Sequence, residues 1–319
     1  MKTKEMWGRW ARRVAGMVAT ILLLVPAASW SHGLAGKRFF PTTLAVDDPF
    51  VSDEFSLVPS YSQDNADPGL TATTAFAVEF SKRIVGNFGI SLGEEYRSVK
   101  ASGDGTERGF GNLELGAKYQ FFTSEAHETI LSIGLGAEIG GTGASGVGAE
   151  SFSVVSPALF FGKGFGDLPE VLRYLRPFAV TGVIGANFPT PKSTSVVDEA
   201  TGGTVDETQP ATFTWGLALQ YSLQYLQTSV SDVGLGAPFN RMSLLVEFPM
   251  ETGLDSGSGG KTTGMIVPGI VWAGKSVEVG LGAQIPINAD SGKGVGVVAL
   301  VHLFIDDLFP KSLGRPLFP

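Results

Sequence analysis

The sequence predicts an all-β protein: a transmembrane antiparallel up-and-down β-barrel of about twelve strands, preceded by a cleaved signal peptide. Three observations carry that expectation. The chain opens like an exported protein, no later stretch is apolar enough for a membrane helix, and period-2 alternation recurs over segments long enough to cross a bilayer. Composition narrows the function. Of 319 residues 43 are glycine, none is cysteine and only 17% are charged. A chain without cysteine has neither a disulfide framework nor a thiolate metal site. At 43% hydrophobic content it is too apolar for disorder, and a net charge of −8 opposes nucleic-acid binding, which needs a basic surface.

Residues 1–31 read as the signal peptide. Lys2, Lys4, Arg9, Arg12 and Arg13 precede the apolar run MVATILLLV at 17–25, followed by Pro26 and the small-residue stretch AASWS. The run is far shorter than the roughly 20 apolar residues that a spanning helix requires. Cleavage is placed after Ser31, with Ala28 or Ala35 as alternatives. Removing these residues leaves 18 basic and 30 acidic side chains, so the exported chain would carry −12. Residues 32–54, which contain Pro41 and Pro49, are expected to be an N-terminal periplasmic segment or plug.

The barrel is expected over 55–305. Alternation places strands near 55–61, 71–81, 87–98, 109–122, 128–140, 151–162, 175–188, 211–225, 240–250, 263–274, 276–287 and 293–304. In 211–225, for example, Phe213, Trp215, Leu217, Leu219, Tyr221, Leu223 and Tyr225 oppose Thr212, Thr214, Gly216, Ala218, Gln220, Ser222 and Gln224. A soluble sandwich would have strands of about 5–6 residues. These run longer, and aromatics near their ends suit a girdle at the lipid interface, with Tyr119, Trp215, Tyr221 and Tyr225 as candidates. Connections alternate long and short, the longest being 189–210. Asp167-Leu-Pro-Glu170 has capping-box spacing and predicts a short helix within one turn. Residues 306–319, with Pro310, Pro316 and Pro319, form a C-terminal tail that cannot extend the last strand.

The polar phase of the strands would line the lumen: Glu114, Lys118, Gln120, Glu138, Gln220, Gln224, Glu247, Glu278, Gln284 and His302. Charges of both signs there would set ion preference, or would pair and fill a closed interior. Glycines recur on that phase, as at Gly134, Gly136, Gly280 and Gly282. They would leave lumen space, admit a plug against the wall, or relieve strain where strands coil.

Motifs for other chemistry fail on context. Gly141-Thr-Gly143-Ala-Ser-Gly146 matches a dinucleotide fingerprint, yet a strand follows it where a phosphate-binding helix is needed. The run Asp255 to Thr262 resembles a P-loop with aspartate in place of the first glycine. His32, His127 and His302 lack a second histidine at zinc-ligand spacing. No catalytic, cofactor-binding or metal residue is therefore assigned, and no enzyme activity or cofactor is expected. Acidic loop residues such as Asp64, Asp206 and Asp290 read as solvated charge rather than a calcium site.

Gly109-Phe-Gly-Asn-Leu-Glu-Leu-Gly-Ala-Lys-Tyr-Gln-Phe121 resembles the G-x-G-D-L-x-L-x-x-K-Y-x-F strand of the outer-membrane family known from "MetA-pathway of phenol degradation" proteins, with Asn112 at the usual aspartate. Gly164-Phe-Gly-Asp-Leu-Pro169 with Leu175-Arg-Pro-Phe-Ala-Val180, and Leu303-Phe-Ile-Asp-Asp-Leu-Phe-Pro310, resemble the same group. The resemblance implies an outer-membrane barrel passing hydrophobic or aromatic compounds, and brings no catalytic residues. The expected function is thus a channel for passive movement of small solutes across the outer membrane of a Gram-negative bacterium. Its expected partners are outer-membrane lipid, the solute and the barrel-assembly machinery. The alternative is a structural or surface-interaction protein with a closed lumen that binds through its outer loops.

Overall fold

Twelve antiparallel strands follow one another around a closed ring in the computed structural model, which describes residues 33–64, 71–101, 105–191, 193–197, 204–255 and 260–318. The expected signal peptide and His32 lie outside the described residues, as do parts of several loops. The strands are β1 (Glu54–Asp64), β2 (Thr71–Val85), β3 (Phe88–Ala101), β4 (Leu113–Ser124), β5 (Thr129–Ile139) and β6 (Ser153–Gly164). They continue as β7 (Phe178–Thr190), β8 (Thr212–Ser222), β9 (Met242–Gly253), β10 (Thr262–Ala273), β11 (Val277–Pro286) and β12 (Gly296–Phe304). The seam closes where β12 pairs with β1, from Val297 opposite Tyr61 to Phe304 opposite Glu54. Closure leaves none of the twelve wall strands at an open edge of the ring, as a sheet in hydrocarbon requires.

Burial is inverted relative to a soluble protein. Phe76, Ile90, Leu135, Ile184, Leu244 and Leu281 are exposed on the outer face, while Ser132, Thr181, Gln220, Glu247, Glu278 and His302 are buried inside. The period-2 pattern produces this directly, because successive side chains point to opposite faces.

Two expected strands differ from the pattern. The segment 109–122 is broken at Gly111-Asn112: Gly105–Phe110 pairs with the far half of β3, and β4 begins only at Leu113. Asn112 fills the break, its amide donating to Glu138 and to the carbonyl of Glu150 at 2.8 Å each, while its oxygen accepts from Gly143 N–H at 3.0 Å. The segment 211–225 leaves the wall at Ser222. The Ser222 hydroxyl accepts the Tyr225 N–H at 3.1 Å and caps a helical turn over Leu223–Tyr225. A serine cap thereby overrides an alternation that the sequence carries three residues further.

Gly33 and Phe318, the first and last described residues, both lie at one end of the ring, the turn end. In place of the expected helix, Glu170–Leu175 forms two 3₁₀ turns kinked at Leu172, and Pro169 precedes them without a side-chain cap. Asp167 is engaged elsewhere, accepting from Lys163 at 3.0 Å and contacting His127 at 3.1 Å, which hold its carboxyl below the usual range. At the loop end a two-stranded hairpin, Ser193–Val197 with Thr204–Thr208, stands on the β7–β8 connection.

Candidate functional site: the barrel lumen

Residues 33–53 lie inside the ring and cross it. A small ribbon, Leu34–Ala35 with Arg38–Phe39, starts at the turn end. Phe40 there packs with Ile130, Ala179 and Phe50, side chains of β5, β7 and the returning segment. The chain then reaches the opposite wall, where Glu247 of β9 accepts three successive backbone N–H groups. Leu44 donates to Oε1 at 2.6 Å, and Ala45 and Val46 donate to Oε2 at 2.8 Å each. Glu278 of β11 accepts the Thr42 N–H at 2.9 Å. Burying a carboxylate is costly unless such donors surround it.

Leu44 sits beside Leu245, Val267, Val271, Val298 and Leu300, all inward-facing. Its seat is made by glycines: a Cβ at Gly269, Gly280 or Gly282 would stand only 2.6–2.7 Å from a Leu44 methyl. Likewise a Cβ at Gly216 would meet Val46 at 2.8 Å. These glycines seat the Leu44 and Val46 side chains against the wall, while Gly134 instead makes room for Phe160 of the neighbouring strand.

The segment returns along the first-crossed wall. Ser132 Oγ donates to the carbonyl of Pro49 at 2.5 Å, and Lys118 Nζ to that of Asp48 at 2.8 Å while lying 4.6 Å above the Phe160 ring.

Past the internal segment the lumen stays open beside β1–β6, and toward the loop end it widens to β7–β10. A cavity of about 750 Å³ runs from Glu251, Asp290 and Ser291 at the loop end to Ser81 and Gly89 at the turn end, past Lys118. A smaller one of about 300 Å³ adjoins it between residues 42–48 and strands β1 to β4. Cross-strand register lines up Glu278, His302, Ser56, Glu79, Gly93, Glu114 and Glu138 as successive neighbours on the inner face. Carboxylates therefore dominate the charged part of the lining, and among the described residues Lys118 is the cationic side chain that borders both cavities. Ser56 Oγ and His302 Nδ1 are 2.9 Å apart within this row, on the lumen side.

Of the proposed lumen residues, Glu114 and Lys118 line the main cavity, and Glu138 holds Asn112. Gln220, Glu247, Glu278 and His302 are buried inside, and Gln284 stands beside Gly296. Gln120 sits at the β4 bulge and donates to Thr123 at 2.8 Å, near the rim. Gln224 is a correction: it belongs to the helical turn after β8, not to the wall. Among the aromatics, Tyr119 and Tyr221 take the outer phase toward the turn end and Trp215 toward the loop end. Tyr225 is the second correction, being 7% exposed and turned inward.

Tyr225 belongs to a buried cluster that fastens the ribbon. Arg38 Nε donates to Glu128 at 3.0 Å, its Nη1 to the Pro177 carbonyl at 2.9 Å and its Nη2 to that of Arg176. The Arg38 guanidinium lies 3.9 Å over the Tyr225 ring, and Tyr225 Oη donates to Glu128 at 2.9 Å. Burial, reinforced by the Glu128 charge, raises the Tyr225 phenol to about 12, so it stays a donor at any physiological pH. Side chains at Gly164 or Gly166 would collide with Glu128, which explains the glycines of the Gly164-Phe-Gly166 motif. A second cluster joins Asp53 to Lys82 at 2.7 Å and to Arg83 at 2.9 Å, and Arg83 to Asp306 at 3.0 Å. The C-terminal tail folds back onto it, Phe318 N–H donating to the Ile84 carbonyl at 2.9 Å.

Sequence reasoning missed Glu79, Arg38, Glu128 and Asp47, the last of which borders both cavities. Glu79 was findable, since it continues the small-residue phase Ala75, Ala77 and Ser81 opposite Phe76 and Phe80. The other three lie in the N-terminal segment or in a turn, where no run is long enough for alternation to speak.

The COG4313 outer membrane channel from Pseudomonas putida F1 superposes with a TM-score of 0.55 at 14% identity, covering 83% of this chain and 99% of that one. This establishes the fold. The NanC porin (TM-score 0.46, 7% identity, 78% and 98% coverage) and the KdgM porin in complex with disordered oligogalacturonate (0.42, 12%, 78% and 98%) are looser matches. No family model matches the sequence, and no curated protein does. The chain therefore has the barrel fold of that outer-membrane channel.

Proposed function

We propose that this protein is an outer-membrane channel of a Gram-negative bacterium through which small solutes cross passively. In this reading residues 33–53 form an internal constriction that solutes pass on the β1–β6 side. The observation that carries it is the cavity of about 750 Å³ whose lining reaches both ends of the ring. A wall built only for structure would fill its interior with paired side chains. Here Glu79, Glu114 and Glu251 face the cavity instead. A lining of this sign favours cations over anions, and neutral solutes face no charge barrier. The resemblance of residues 109–121 to the phenol-degradation family supports hydrophobic or aromatic compounds as the neutral class. Residues 1–31 would direct export, the barrel-assembly machinery would insert the barrel, and no chemical step on the solute is required.

The test is conductance of the refolded chain from residue 32 in a planar bilayer under a potassium chloride gradient. Steady steps with a cation-selective reversal potential are expected, and Glu79→Gln with Glu114→Gln should shift that potential toward zero. Silence from protein shown to be folded by its β-sheet circular dichroism would overturn the channel reading.

A further inference from the structure

The turn-end segment Glu170–Leu175, two 3₁₀ turns joined by a kink at Leu172, exposes an apolar patch that the lumen does not use. Val171 is 88% exposed, and Leu172, Tyr174 and Leu175 are also open. Inner turns of such barrels are ordinarily short, so a segment like this, with most of its apolar side chains unburied, calls for a partner.

The surroundings indicate which one. The inward side of this turn is already taken, because Arg38 binds the carbonyls of Arg176 and Pro177 and Glu128 accepts the Gly166 N–H at 3.0 Å. Immediately after the segment the chain enters β7 with Phe178, whose ring meets Tyr221 edge-on at 4.7 Å on the outer face of the wall. The apolar face is thus continuous in sequence with the outer aromatic rim. Its own chemistry is interfacial. Arg173 lies 5.0 Å over the Tyr174 ring, and Glu170 pairs with Arg173 at 3.3 Å and Arg176 at 3.0 Å. Aromatic rings and basic side chains around a short apolar patch suit the boundary between headgroups and acyl chains. The neighbouring long turn touches this segment and exposes Phe239 beside the start of β9.

We infer that Glu170–Leu175 is an interfacial anchor that lays Val171, Tyr174 and Leu175 into the lipid leaflet at the turn end. This rests on the barrel spanning a bilayer, and the experiment separates the two. The chain has no cysteine, so Val171→Cys, Leu135→Cys on the outer wall and Asp290→Cys in a loop can each carry one environment-sensitive fluorophore. Each labelled chain is reconstituted in phosphatidylethanolamine–phosphatidylglycerol vesicles with and without a lipid spin-labelled near the headgroup. The expected result is quenching at position 171 at least half as strong as at 135, with position 290 unquenched. Quenching at 135 but not at 171, or efficient quenching of 171 by aqueous iodide, would overturn the anchor and leave the barrel reading intact. No lipid quenching at either position would overturn both. As a second arm, Val171→Asp should abolish the lipid quenching of a label at Tyr174→Cys, while the Leu135 signal stays unchanged.

Discussion

Replacing Glu247 with alanine removes the acceptor of three backbone N–H groups at once and leaves the wall otherwise alanine-like at that point. Hydrogen bonds to a charged group contribute about 1.5–3 kcal/mol each. Because the freed amides of Leu44, Ala45 and Val46 can be rehydrated from the adjoining cavity, the lower figure applies. The change then weakens seating of residues 42–46 by about 4 kcal/mol, a factor near 10³ in the equilibrium between seated and released segment. What would still hold the segment is burial of Leu44, about 2 kcal/mol, and the Thr42–Glu278 bond at 2.9 Å. Single-channel recording in a planar bilayer reads the outcome. Glu247→Ala should give larger steps and more frequent transitions than wild type, approaching the conductance of a chain lacking residues 33–50. Glu247→Gln should fall between them, since one amide oxygen cannot accept from all three donors. Equal conductance in wild type, Glu247→Ala and the deletion, all with intact barrels by heat-modifiable electrophoretic mobility, would refute the reasoning.

Three other perturbations follow from the same contacts. Gly280→Ala puts a Cβ 2.7 Å from Leu44 Cδ2, an overpacking of about 1–3 kcal/mol, and should raise conductance, with Leu44→Ala restoring the wild-type value. Arg38→Met leaves Glu128 buried without its cation, costing about 3–5 kcal/mol. Trypsin cleavage after Lys37 should accelerate and the thermal midpoint should fall, both partly corrected by adding Glu128→Gln. At the tail, burial pushes Asp306 up to about 7 from 3.8. The docked tail therefore binds more protons than a free one, so docking is tightest at pH below 4 and weakens as pH rises through 7. A spin label at Leu317→Cys should become more mobile from pH 6 to pH 8, and Asp306→Asn should remove that dependence.

Alternation made the wall legible because it reports which face each side chain takes. It succeeded for β8, where Phe213 to Tyr221 lie outside and Thr214 to Ser222 inside, and it failed where a local hydrogen bond outcompeted the ladder. Ser222 ended β8 by capping, and Asn112 broke the strand before β4. The aromatic at Tyr225 continued the pattern in sequence while the chain had already turned inward. For the lumen, the same rule picked out Glu114, Lys118, Glu247, Glu278 and His302 as inward, but it could not rank them. Two look like equivalent lumen acids in sequence, yet Glu114 faces open cavity and Glu247 is filled with backbone amides.

One signal was present and unread. Leu245, Val267, Val271, Val298 and Leu300 are apolar on the phase that should face water, in strands whose other phase is apolar too. Such two-faced strands mark the part of a barrel wall covered from inside.

By itself, then, the sequence determined the class: period-2 segments of bilayer length, without cysteine or a membrane helix, admit a closed barrel and little else, because strand periodicity is a local property of consecutive residues. Only the tertiary structure decided where residues 33–53 run, which glycines receive them and which half of the lumen stays open. Those outcomes depend on contacts such as Leu44 with Gly280, more than two hundred residues apart, and on whether a three-amide turn meets a carboxylate across the ring, which no local pattern encodes.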